Sequence, residues 1–132
     1  MTMFAPALLL LLAAGCASVP PAGVPLTGRW GGDHAGLDLT PTGGTLDYDC
    51  AAGRIDGPLL SRADGTFQAS GTHTPGTGGP ERVGVVPPSF AARYDGAVRG
   101  DRMTLQVRVE NGVLVGPFML RRGAEPMLMR CL

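Results

Sequence analysis

The stretch "RMTLQVRV", residues 102–109, alternates without a break. Met103, Leu105, Val107 and Val109 fall on one side, and Arg102, Thr104, Gln106 and Arg108 on the other. Successive side chains of a strand point to opposite faces, so the pattern describes a half-buried strand and leaves no apolar stripe at helical spacing. "ARYDGAVR" before it alternates too, with Tyr94 and Val98 opposed to Arg93, Asp95 and Arg99. Gly100-Asp101 joins the two as a tight turn, because glycine accepts the positive φ that short hairpins need. Glu110-Asn111-Gly112 then leads into "VLVGPFMLRR", giving a three-strand antiparallel meander. Pro117 cannot donate to a ladder, so a bulge or an edge is expected there.

The first half repeats the theme. "AGLDLT" opposes Leu37 and Leu39 to Asp38 and Thr40, and residues 41–44 make a turn. "TLDYDC" sets Leu46, Tyr48 and Cys50 inward; "GRIDGPLL" carries Ile55 and Leu59; "GTFQASGTH" carries Phe67, Ala69, Gly71 and His73. "PMLMRC" reads as a last strand that brings Leu128 inward. No segment has amphipathic helical spacing. The expected fold is therefore all-β, a small antiparallel up-and-down β-barrel of about eight strands over residues 28–132, with a β-sandwich as the alternative. Regular hairpin order favours the barrel. With so many large inward side chains, an eight-stranded barrel is filled rather than hollow. That directs any binding to a rim or a loop.

Residues 4–14 form an apolar run too short to cross a bilayer as a helix, which takes about 20 residues. It ends in Ala13-Ala14-Gly15-Cys16. A short apolar core followed by small residues is the pattern of a secretory signal. The four residues resemble the lipobox of bacterial lipoproteins. The resemblance implies cleavage before Cys16 and a diacylglycerol on its thiol; N-acylation would add a further chain, and two or more chains anchor stably. Residues 1–15 are then a lipoprotein signal peptide, and residues 16–27, with three prolines, an acylated cysteine and semi-extended tether. Ala17 after the cysteine resembles the signal for outer-membrane sorting. The expected location is the cell envelope, lipid-anchored, at the outer membrane facing the periplasm. With Cys16 acylated, Cys50 and Cys131 remain, and two cysteines in an oxidising compartment predict one disulfide. Closing a loop of that length stabilises a fold by about 4 kcal/mol.

Eleven arginines, with no lysine, balance eleven acidic residues, and the net charge near zero speaks against nucleic acid as a partner. Acids crowd the first half (Asp33, Asp38, Asp47, Asp49, Asp56, Asp64) and arginines the second (Arg93, Arg99, Arg102, Arg108, Arg121, Arg122, Arg130). Cross-strand ion pairs are the expectation.

"GRW", Gly28 to Trp30, resembles the G-x-W motif that opens the first strand of lipocalins and other calycins. That resemblance implies a Trp closing one barrel end with an Arg from a late strand packed across it. Arg122 is the first candidate for this cation–π partner and Arg130 the next. Residues 74–89, "TPGTGGPERVGVVPPS", form a long Pro- and Gly-rich loop, and such loops often bind. Thr74, Glu81, Arg82 and Ser89 are its candidate contact residues. Catalytic signals are sparse. Asp33, His34 and His73 could meet as a three-ligand metal site at a barrel mouth, which makes a metal-dependent enzyme one rival function. A periplasmic inhibitor of lysozyme or protease type, acting through the 74–89 loop, is another. The serines lack a nucleophile-elbow context. Asp47 and Asp49 fall on a solvated face. The resulting expectation is a binding or structural module rather than an enzyme, with no cofactor or metal. Its partners are the membrane, through the lipid anchor, and an envelope protein or small ligand.

Overall fold

The computed structural model describes residues 15, 23–76, 83–129 and 131. Its strands are β1 (Val24–Pro25), β2 (Gly28–Gly32), β3 (Ala35–Thr40), β4 (Gly43–Tyr48), β5 (Ala51–Asp56), β6 (Leu60–Ser61), β7 (Thr66–Pro75), β8 (Phe90–Arg99), β9 (Arg102–Val109) and β10 (Leu114–Arg122). Eight of them, β2–β5 and β7–β10, close an antiparallel barrel in chain order. β10 returns to β2 through Arg121 opposite Gly31 and Arg122 opposite Trp30. The fold is the all-β up-and-down barrel that the alternation implies.

The interior is made by that alternation. Leu37, Leu39, Leu46, Tyr48, Ile55, Phe67, Tyr94, Met103, Leu105, Val107, Phe118 and Leu120 are all buried. Inward glycines give the larger rings their space. A Cβ on Gly53 would collide with the hydroxyls of Tyr94 and Tyr48, and one on Gly96 would stand 2.9 Å from Phe67 Cζ. Large residues facing glycines fill a narrow barrel without forcing rotamers. At Pro117 the β9–β10 register shifts between Val115 and Phe118, a bulge that accommodates the missing N–H.

Three expectations are corrected. The segment "PMLMRC" is not a barrel strand. The eighth strand is β2, separated from β3 by a turn at Asp33-His34. Residues 123–129 instead cross the outer face of β2 and β3, where only an isolated bridge joins Asp33 to Met127, and Leu128 is 41% exposed rather than inward. The physical reason is a pair of outward glycines. Gly31 and Gly36 sit opposite each other, and a Cβ on either would strike Ala124 or Pro126. Cys50 is likewise not on the inner face; it lies exposed in the β4–β5 turn with φ +60°. Lastly, β1 pairs with β6, Leu26 donates to the Leu59 carbonyl at 2.8 Å, and Leu26 is buried. This part of the expected tether is thus docked on the barrel.

The barrel has two distinct ends. At the entry end the chain arrives through β1, beside the β3–β4 turn, the 57–65 connection and the Gly100-Asp101 turn. The far end carries the turns at 33–34 and 49–50, the loop after β7, and the turn at 110–113.

Candidate functional site

At the far end a polar cluster sits just inside the mouth. Tyr48 on β4 and His73 on β7 both have inward parity, and the Tyr48 hydroxyl lies 2.8 Å from His73 Nδ1. The Tyr48 ring is stacked on His73 and on Phe118, with centroids 5.5 and 5.7 Å away. Tyr94 reaches the same region and donates to the Thr72 carbonyl at 2.5 Å. Burial pushes both phenols above their ordinary pKa and holds His73 below its own. Neutral phenols and a neutral imidazole, hydrogen-bonded to one another, plug the mouth; they offer no charged nucleophile.

Outside the mouth, His34 Nδ1 donates to Asp49 Oδ2 at 2.5 Å, and the other Asp49 oxygen accepts the Met129 backbone N–H at 2.6 Å. The Met129 N–H first, and His34 second, hold the Asp49 carboxyl below its usual range. Together with the Cys50–Cys131 disulfide, whose Cα atoms are 5.1 Å apart, these bonds fasten residues 123–129 and Cys131 to the far end. Asp49 is therefore a latch rather than a free carboxylate. Asp33, His34 and His73 are not brought together. His34 turns to Asp49 and His73 turns inward to Tyr48; among the described residues no group of three His, Cys, Asp or Glu side chains could hold a metal.

The loop after β7 starts from a tied base, where the Thr74 and Ser89 hydroxyls lie 2.7 Å apart. Glu81 and Arg82 lie outside the described residues. Beyond them Val83, Val85 and Val86 are exposed at 63% or more, and Val113, in the 110–113 turn at the same end, is half-exposed. Sequence reasoning missed these valines as a set, because an apolar residue in an irregular loop carries no periodic sign of which way it faces. Alongside this loop, the outer face of β4, β5 and β7 holds an open polar recess of about 580 Å³, lined by Thr45, Asp47, Arg54, Asp56, Thr72 and Thr74 among others. Its lining comes from the outward half of three alternating strands.

The entry end is closed differently. Trp30 is buried, its indole N–H donates to the Thr27 carbonyl at 3.2 Å, and the Arg122 guanidinium lies 4.3 Å from the ring centroid. Arg130, the other candidate, lies outside the described residues, as does Cys16.

The expected cross-strand ion pairs are few among the described residues, and none joins an early acid to a late arginine. Only Arg29–Asp38 (3.2 Å) and Arg108–Asp95 (3.1 Å) join arginine to aspartate. Closing the barrel in chain order separates the early acids from the late arginines. Asp38, Asp47 and Asp56, with Arg54 among them, face outward on β3–β5, whereas Arg93, Arg99, Arg102, Arg108 and Arg121, with Asp95 among them, face outward on β8–β10. The molecule is electrically polarised across its girth.

The architecture, a small closed antiparallel barrel of eight strands, is compatible with a calycin-like fold. No family model, no curated protein and no solved structure matches this chain.

Proposed function

We propose that this protein is a lipid-anchored cell-envelope binding module, attached through Cys16 at the outer membrane and facing the periplasm. It engages an envelope protein with the far rim of its barrel. The observation that carries this reading is the division between the two ends. The chain enters through β1 at one end, while the loop that carries Val83, Val85 and Val86 lies at the other, the same end as the turn that carries Val113. Exposed apolar side chains gathered at one end of a small domain suit a partner surface. The filled interior argues against a ligand held inside the barrel, and the hydrogen-bonded state of Tyr48 and His73 argues against chemistry at the mouth. Inhibition of a lysozyme or a protease is one form that binding by this loop could take.

Two measurements test the proposal. Palmitate labelling in cells should mark the wild-type protein at a mature N-terminal Cys16, and Cys16→Ser should stay unlabelled and unprocessed. Equal labelling of both removes the anchor. Crosslinking in cells with the wild type and with Val83→Ser, Val85→Ser, Val86→Ser combined should yield a protein adduct only for the first. Identical adducts would remove the loop from the interface.

A further inference from the structure

We propose that the barrel wall holds a second contact surface, a row of three arginines that lies against the anionic headgroups of the membrane carrying the anchor. Arg99 on β8 stands directly opposite Arg102 on β9, and Arg102 directly opposite Arg121 on β10. All three side chains point outward and are exposed. Adjacent strands are about 4.8 Å apart, so three guanidinium stems share a band less than 10 Å wide. Among the described residues none has a carboxylate within 4 Å, although Arg108 on the same wall finds Asp95, and Arg29 on β2 finds Asp38. Like charges directly opposite each other destabilise a sheet. The fold bears that cost at two successive pairs.

The row lies at the entry end. Arg99 and Arg102 flank the Gly100-Asp101 turn, and Arg121 is one residue from the end of β10. Gly65, at the turn between β6 and β7, accepts from the Val98 N–H at 2.9 Å, so the 62–65 turn, with the exposed Arg62, sits beside the row. Two carboxylates are nearby. Asp64 is engaged by the Thr66 N–H and hydroxyl, and Asp101 lies in the turn itself. Arginine remains in excess on this flank, and the acids of β3–β5 face the other way.

The chain that leads to the anchor sets the distance. From Cys16 to Gly23, where the described fold resumes, seven residues span at most about 25 Å. A tether of that length, about three Debye lengths at physiological salt, allows the entry end to approach within one Debye length of the headgroups. A net-neutral protein with its basic flank at that end is drawn down on one side, and the barrel leans with its acidic wall and polar recess away from the lipid. Basic residues near an anionic surface each contribute about a fivefold gain in partition, so three give on the order of a hundredfold.

This inference rests on the membrane location proposed above, and its test is built so that the two can fail separately. Residues 17–132, which contain all ten described strands and the disulfide, are secreted with an ordinary cleavable signal and so carry no lipid. Their partition is measured by co-sedimentation with vesicles of phosphatidylcholine alone and of phosphatidylcholine with phosphatidylglycerol, three to one. The expected result is binding to the anionic vesicles only, lost in 0.5 M NaCl. Arg99→Gln, Arg102→Gln and Arg121→Gln combined should lower it on the order of a hundredfold, with thermal stability unchanged or raised. Equal partition of the variant and the parent overturns the proposal, and so does equal binding to both vesicle types. Displacement by 10 mM inorganic phosphate at constant ionic strength also overturns it, by showing a discrete phosphate site in place of a surface. None of these outcomes depends on whether Cys16 is acylated.

Discussion

Gly53 shows how much of this barrel depends on single residues. Its missing Cβ is the space in which two phenol hydroxyls meet, so Gly53→Val should force Tyr48 and Tyr94 off their positions. Overpacking of this kind costs about 1–3 kcal/mol, read as a lowered urea midpoint, whereas Gly57→Ala, at an open turn, tests backbone strain alone. His73 adds a pH dependence. Its pKa in the fold lies below its ordinary value because burial penalises the charged form. The unfolded chain therefore binds the proton first as pH falls. Stability is fully present above about pH 6.5 and is lost as the pH drops toward the folded-state value. His73→Gln, which can still accept from Tyr48, should flatten the fall in Tm between pH 7.5 and 5; an unchanged slope would assign it to other groups. At this scale the sequence was legible wherever parity applied, since Leu46, Phe67, His73 and Leu105 face inward as their alternation implies. It was not legible at Cys50, whose left-handed backbone at the turn carries its side chain out of the strand's rhythm.

Among the elements, the segment after β10 is the one whose pattern misled. "PMLMRC" is apolar and β-prone, yet β2 already completes the barrel, so the segment lies over Gly31 and Gly36 and is pinned by Asp49 and Cys50. Competition between two segments for one edge is a tertiary matter that local spacing does not register. The β8–β10 meander, by contrast, follows its sequence closely, and the bulge sits where Pro117 demands it. The strap also carries much of the fold's resistance to unfolding. Its disulfide joins residues 81 apart, and a closure of that length contributes about 4 kcal/mol in the chain-entropy model. Cys50→Ser with Cys131→Ser should lower the unfolding free energy by roughly that amount in chemical denaturation, and a reductant should do the same to the wild type but nothing to the variant. A wild type indifferent to reductant would mean that the hydrogen bonds at Met127 and Met129 suffice.

For the whole molecule, composition alone gave neutrality and hid polarity. Eleven positive and eleven negative charges cancel in the sum, but barrel closure in chain order sends most of the early acids and most of the late arginines to opposite walls. The same closure separates the point of entry from the loop-bearing rim, which is why the candidate site could be assigned to a loop from sequence but not to an end. Its exposed valines belong to no periodic element, and only barrel closure brings the turn at 110–113 and the loop after β7 to the same end. If this rim is the surface presented to a partner, it and not the wall should be within reach of that partner. A photoreactive amino acid placed at Val86, and separately at Asp56 on the wall, tests it most directly in intact cells. The arrangement predicts a discrete crosslinked protein band from position 86 and none from position 56. Bands of equal strength from both positions, or none from position 86, would contradict it.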